Sequence, residues 1–146
     1  MNNLLNIKDL SLIDRSTGNS VLNNISFSLK EKEILGVVGE SGSGKTLLSQ
    51  AIVNWLPENL EISSGHIDFL GKKMNEMSEN ELEKNIRGRE IAYIGPNAIN
   101  SLDPTYPVGH QLLEKAISID KENTSKEILK RKVISLLDDV LIPSPE

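Results

Sequence analysis

Gly39-Glu40-Ser41-Gly42-Ser43-Gly44-Lys45-Thr46 is the stretch on which the reading of the chain turns. It fits G-x-x-x-x-G-K-[ST], the pattern of a phosphate-binding loop. Glycines there adopt conformations that turn successive N–H groups inward, and without Cβ atoms they let a phosphate approach closely. A helix starting at the end of the loop aims its unpaired N–H groups and positive dipole end at the same anion. The Lys45 ammonium suits the β- and γ-phosphates of a nucleotide, and the Thr46 hydroxyl suits Mg²⁺. All eight residues are therefore candidate nucleotide-binding positions, with Thr46 the candidate Mg²⁺ ligand. Glu40 is the one that this chemistry does not require, and it is expected to face solvent or a neighbouring loop. A chance match in a chain of this length has odds on the order of one in a few hundred, which argues against an ordinary glycine-rich turn.

The flanks agree with the loop. Ile34-Leu35-Gly36-Val37-Val38 is apolar without alternation, as expected of a strand buried on both faces. After the loop, Leu47, Leu48, Ala51, Ile52 and Trp55 recur at helical spacing, and Pro57 marks where the helix has ended. Towards the N-terminus, Leu5 to Ile13 reads as a strand, followed by a turn over Ser16 to Ser20. In Val21 to Leu29, Ile25, Phe27 and Leu29 alternate with Ser26 and Ser28, the mark of a half-buried strand in an antiparallel pair. Towards the C-terminus, Ser64-Gly65 opens a strand from His66 to Leu70, with a turn at Gly71. Ser78 and Glu81 have capping-box spacing and predict a helix from Glu79 to about Ile86. Ile91 to Ile94 reads as a second buried strand, ended by Gly95-Pro96-Asn97. A loop with Pro104 and Pro107 leads into a helix from Val108 to Ile117. Thr124 and Glu127 have the spacing of a second capping box, opening a helix whose stripe is Leu129, Val133, Leu136, Leu137 and Val140.

Composition narrows the class. The 146 residues are 38% hydrophobic and 25% charged, which fits one globular domain. Trp55, Phe27, Phe69, Tyr93 and Tyr106 are the whole aromatic supply, so the core must rest on Leu, Ile and Val. A formal net charge of -5 and a pI of about 5.1 argue against nucleic acid as a partner. The absence of cysteine removes disulfides and thiolate chemistry and suits a reducing cytoplasm. Met1 to Asn6 has neither the basic region nor the apolar run of a signal peptide, and no stretch approaches the ~20 apolar residues of a membrane span. A membrane would have to be reached through a partner. Among proteins with such a loop, a GTPase would carry Asn-Lys-x-Asp, which is not found. A small kinase would carry an arginine-rich lid, and the arginines are only Arg15, Arg87, Arg89 and Arg131.

From Ile7 nearly to its end the chain resembles the ATP-binding subunits of ABC importers, in the oligopeptide, dipeptide and nickel branch. Val21 to Leu29 with Glu33 to Thr46 resembles that family's second strand, third strand and Walker A loop. Ser64-Gly65-His66-Ile67 with Gly71-Lys72 resembles the next strand and turn, and Ile86 to Ala92 the approach to the Q-loop. Ser101-Leu102-Asp103-Pro104 with Val108-Gly109-His110-Gln111 is similar to the Ser-Leu-Asn-Pro and Val-Gly-x-Gln stretches of the branch. The resemblance implies an α/β fold: a P-loop NTPase core with N-terminal antiparallel strands and the start of a helical subdomain, present as an incomplete domain. Residues 1–95 would form the core, and 96–146 the Q-loop region and the beginning of the helical subdomain. It implies ATP and Mg²⁺ as ligands, and integral membrane permease subunits and a second ATP-binding subunit, identical or different, as partners. An extracytoplasmic solute-binding protein would be met indirectly. The place implied is cytoplasmic, peripheral on the inner face of the cell membrane, with Gly95 to Gly109 facing the permease.

The chain also departs from the family. Pro96 stands where the Q-loop glutamine belongs, with Asn97 beside it as a partial substitute. Ile13-Asp14-Arg15 offers no aromatic to stack on adenine. No Leu-Ser-Gly-Gly-Gln signature, Walker B strand ending in Asp-Glu or switch histidine is found, so no catalytic residue is assigned. His66 is read as a strand-face residue and His110 as a helix residue. Val133 to Asp139 looks superficially like Walker B, but its spacing fits a helix. Negligible ATP turnover by these residues alone is expected, with Pro143-Ser144-Pro145-Glu146 read as a linker inside a larger domain. Two alternatives stay open: a non-catalytic nucleotide-binding fragment that pairs with a complete ATPase subunit, and a small P-loop kinase.

Overall fold

Alternation in the first thirty residues folds as a hairpin. Strand β1 (Asn3–Asp14) pairs antiparallel with β2 (Ser20–Lys30), and on β2 Ile25, Phe27 and Leu29 are half-buried while Ser26 and Ser28 are exposed. The other edge of β1 pairs antiparallel with β3 (Leu60–Phe69), and β4 (Lys72–Lys73) adds two residues beyond, giving the order β2-β1-β3-β4. As an inner strand, β1 carries three fully buried side chains, Ile7, Leu10 and Leu12. The computed structural model describes residues 3–96, 101–120 and 122–143, which divide into two units, Met1–Ile94 and Gly95–Glu146.

In the first unit, helix α1 (Lys45–Ile52) lays Leu48 and Ala51 on the sheet. A 3-10 turn (Met74–Glu76) and helix α2 (Glu79–Asn85) bring Met74 and Leu82 to the same cluster, and Ile86 completes it. Burying side chains of this size stabilises by about 1.5–3 kcal/mol each. The start of α2 is the capping box expected of Ser78 and Glu81: Ser78 Oγ accepts from the Glu81 N–H, and Glu81 Oε2 accepts from the Ser78 N–H at 2.9 Å.

Three expectations for this unit are corrected. Ile34 to Val38 is not a strand, and Ile34 and Val38 are 99% and 93% exposed. A strand buried on both faces needs hydrogen-bonded neighbours and covering layers, and no described strand runs beside this segment. Ile91 to Ile94 fails for the same reason, keeping one parallel bridge between Arg87 and Ile91 while Ile94 lies exposed. Helix α1 stops at Ile52, short of Trp55: Asn54 takes a positive φ of 50°, and Trp55 turns away to meet Tyr93 edge-on at 5.9 Å.

In the second unit, α3 (Val108–Ile119) and α4 (Lys126–Asp139) pack on each other through Leu113, Leu129 and Val133. Val133 to Asp139 is therefore helical, as its spacing predicts. Leu137 is half-buried, whereas Leu136 and Val140 are exposed. The second capping box does not form. Thr124 gives its N–H and its hydroxyl to the Asp120 carboxylate, at 2.7 and 3.0 Å, and Ser125 becomes the N-cap with no side-chain cap bond. The Thr124 N–H holds the Asp120 carboxyl below the usual carboxylate range. Among the described residues no helix is long and apolar enough to cross a membrane. Asn97 and the tail Ser144–Glu146, for which roles are expected from sequence, lie outside the described residues.

Candidate phosphate-binding site

The loop from Gly39 to Thr46 hangs on α1, which the burial of Leu48 and Ala51 fixes to the sheet. Its glycines are used for their geometry. Gly44 is the N-cap of α1 in the left-handed region (φ 92°), and a Cβ there would stand 2.5 Å from Leu22 Cδ2. Gly42 has φ 82°, and a Cβ on Gly39 would stand 2.8 Å from Ser43 Oγ. The loop closes with the Ser43 N–H donating to Glu40 O at 3.2 Å, and α1 begins with the Leu48 N–H donating to Gly44 O at 2.8 Å. The N–H groups of Lys45, Thr46 and Leu47 have no acceptor within the helix, which makes this end electropositive.

Lys45 turns back over the loop. Its Nζ donates to Gly39 O at 2.9 Å and Glu40 O at 2.7 Å, with Ser43 Oγ at 3.4 Å. The ammonium is thus held at the mouth of the loop, and Glu40 contributes a backbone carbonyl while its side chain faces out. Ser41, Gly42, Gly44, Lys45, Thr46 and Leu47 line a hollow of about 340 Å³ with no carboxylate in its wall. A cation, aligned N–H donors and no negative charge make a site for a polyanion. Thr46 is exposed beside them. One hydroxyl is a sufficient protein share for Mg²⁺, which keeps most of its shell as waters and phosphate oxygens. The residues present fit both a nucleotide phosphate and its Mg²⁺.

Other positions singled out in the sequence do not join this hollow. Arg15 is held by Glu61, Nε to Oε2 at 2.9 Å, and lines a separate hollow of about 500 Å³ with Asn54, Asn75 and Glu79. His66 lies on β3 beside Asp68 at 3.5 Å, and His110 on α3 beside Glu114 at 3.6 Å. Among the described residues no group of three His, Cys, Asp or Glu is arranged to hold a metal. Pro96 sits in a bend and has no side-chain amide.

Two residues carry more than the sequence suggests. Gln111 clamps the loop before α3: its Oε1 accepts from the Asp103 N–H at 2.9 Å, and its Nε2 donates to Asp103 O and Tyr106 O at 2.8 and 2.9 Å. Arg87 reaches the far end of α1, Nε donating to Val53 O at 2.8 Å. Both residues lie in stretches that carry the family resemblance, but their contacts have no local signature, because each joins a side chain to backbone groups whose place only the fold decides.

Comparison with known proteins places this geometry. The family model described as ABC transporter matches residues 22–143. The chain is 40% identical over 146 residues to the oligopeptide transport ATP-binding protein OppD of Bacillus subtilis (strain 168), covering 98% of this chain and 40% of that protein. It is 36% identical over 144 residues to the dipeptide transport ATP-binding protein DppD of Escherichia coli (strain K12), covering 97% and 43%. With the metal-staphylopine import system ATP-binding protein CntD of Staphylococcus aureus (strain NCTC 8325 / PS 47) the identity is 33% over 143 residues, covering 98% and 51%. The chain thus spans between two fifths and about half of these relatives. A dimeric, post-hydrolysis structure of the ATP-binding cassette MJ0796 bound to ADP and Pi superposes with a TM-score of 0.80 at 20% identity, over 96% of this chain and 58% of that one. At that identity the superposition speaks for the fold, the α/β architecture of an ABC ATPase.

Proposed function

The chain belongs to the ABC transporter family, and from that footing we propose that it is the ATP-binding component of an importer for peptides or nickel-type solutes. On this reading residues 1–95 form the nucleotide-binding core, and 96–146 form the Q-loop region and the start of a helical subdomain. Gly39 to Thr46 wrap the phosphates, Lys45 faces the β- and γ-phosphates, and Thr46 ligates Mg²⁺. The metal supplies charge neutralisation of the phosphate oxygens when bound. The partners are integral membrane permease subunits and a second ATP-binding subunit, with an extracytoplasmic solute-binding protein met indirectly. The chain would then work at the cytoplasmic face of the membrane.

The observation that carries the nucleotide-binding part of this reading is the loop itself, with the Lys45 ammonium held over a carboxylate-free hollow at the N-terminus of α1. Equilibrium dialysis with Mg·ATP tests it. Lys45→Ala is expected to weaken binding by about 1.5–3 kcal/mol, the worth of a hydrogen bond to a charged group. Thr46→Ala is expected to reduce the Mg²⁺-dependent part of the affinity. Equal binding by wild type and Lys45→Ala would overturn the proposal.

A second reading, a non-catalytic nucleotide-binding partner of a complete ATPase subunit, is favoured by Pro96 at the position of the Q-loop glutamine. A stable, monodisperse chain that binds Mg·ATP supports it, and insoluble or unfolded material counts against it. Turnover that Lys45→Ala abolishes excludes it.

A further inference from the structure

Helix α1 is held at both ends, and the far anchor is Arg87. The helix ends at Ile52 with Val53 as its C-cap and has no basic residue in its last turn. A helix C-terminus gathers unpaired carbonyls and the negative end of the dipole, so a cation there stabilises it. Arg87 supplies that cation from 33 or 34 residues away in sequence: Nε donates to Val53 O at 2.8 Å, and Nη2 donates to Asn54 O. The same guanidinium engages Glu79 of α2 through Nη1 and Nη2. Its own N–H donates to Leu82 O at 2.8 Å, tying its backbone to the end of α2. The side chain is 20% exposed, so these bonds are partly shielded from solvent. The planar fork serves two carbonyls and a carboxylate together in one fixed geometry, which a lysine ammonium on its flexible stem does not reproduce.

The opposite end of α1 is Gly44, packed against Leu22. Eight helical residues span about 12 Å, a short rod. Movement of one end of such a rod is movement of the other, and here the other end carries Lys45 and Thr46.

We propose that Arg87 is a positioning residue for the phosphate site, fixing α1 from its C-terminal end and so setting the affinity of the Gly39–Thr46 loop for nucleotide. The inference rests on the reading that this loop binds nucleotide. Arg87 does not line the phosphate hollow and acts through α1.

The test measures Mg·ATP affinity on the full chain by equilibrium dialysis for wild type, Arg87→Met, Arg87→Lys, Ile67→Val and Lys45→Ala. Each is assayed at a temperature where circular dichroism shows it folded, and amide exchange over Leu48 to Val53 is followed in parallel. Arg87→Met is expected to bind about tenfold more weakly, the cost of lost preorganisation, with faster exchange in α1. Arg87→Lys should fall between it and wild type. Ile67→Val, a core change in β3, should lower the Tm and leave the affinity unchanged. Wild-type affinity in folded Arg87→Met overturns the proposal, as does wild-type affinity in Arg87→Lys where Arg87→Met does not fold. So does a loss in Ile67→Val equal to that in Arg87→Met at the same drop in Tm. Equal binding by wild type and Lys45→Ala instead shows that the loop reading has failed, and the inference falls with it.

Discussion

Glycine 65 shows how much a single residue can decide in this fold. It sits within β3 at φ 81°, opposite the place where the β1–β3 register slips between Lys8 and Ser11. A Cβ at Gly65 would lie 2.4 Å from both Asp9 O and Lys8 O, which are backbone atoms and cannot swing away. Gly71 has a similar φ of 77°, but nothing stands within 4 Å of its Cβ position. The pair separates conformational strain from steric conflict. Gly71→Ala should cost about 1–2 kcal/mol for placing an L residue in the left-handed region. Gly65→Ala should cost that and a further 1–3 kcal/mol or so from the forced backbone shift. Urea midpoints of the two variants check the order, and equal midpoints would mean that the bulge relaxes freely. The sequence shows Gly65 only as a residue at the opening of a strand. Its role comes from a partner strand more than fifty residues earlier, which no local pattern records.

Elements were legible in proportion to how locally their partners are supplied. The β1–β2 hairpin is read from alternation because its partner strand and turn lie next in the chain, and the Ser78–Glu81 box because both members are three residues apart. The Thr124–Glu127 box has the same spacing and fails because Asp120 competes for Thr124. Ile34 to Val38 and Ile91 to Ile94 have the composition of inner strands, but composition does not supply neighbours. The phosphate loop is legible through its glycines and lysine, whereas its distant anchor Arg87 is not. The hairpin turn carries its own pH dependence. The Asp14 carboxylate accepts from the N–H groups of Ser16 and Thr17, at 2.8 and 3.2 Å, and from Asn59 Nδ2 at 3.0 Å. The hydroxyl and N–H of Ser16, with Asn59, hold its pKa at about 2 against an ordinary 3.8. The unfolded chain therefore takes up this proton first. The contribution of Asp14 is complete above about pH 4 and is lost as pH falls toward 2. Glu81, Asp103 and Asp120 are held low by similar bonds and slope the same way. Asp14→Asn should make the Tm less dependent on pH between about 4 and 2 without removing the dependence; an unchanged slope would show that the turn does not hold the carboxylate. Ser78→Ala should cost about 1 kcal/mol by thermal or urea unfolding, as losing an N-cap does.

At the scale of the whole molecule, the run from Ile34 to Val38 sets the behaviour of the isolated chain. It is apolar, rich in β-formers, uncharged and open to solvent among the described residues. A segment with those properties offers unpaired backbone groups and apolar side chains to another copy. The neighbouring residues Lys30, Glu31, Lys32 and Glu33 bring both signs of charge, so they do not repel a second chain strongly. The net charge of -5 is spread over the molecule and acts weakly at contact distance through physiological salt. Concentration-dependent self-association is therefore expected, strengthening as salt rises. Ile34, the most exposed apolar side chain of the run, is the place to interrupt it. Ile34→Lys leaves the core cluster untouched and should change unfolding stability by no more than about 0.5 kcal/mol, as exposed substitutions do. It should also shift the sedimentation-velocity distribution toward monomer at a fixed concentration, because a charge on a would-be edge strand opposes pairing. Wild-type and Ile34→Lys profiles that coincide across the concentration range would assign the association to another surface. The exposed Leu136 and Val140 at the C-terminal end of α4 would then be the next to substitute.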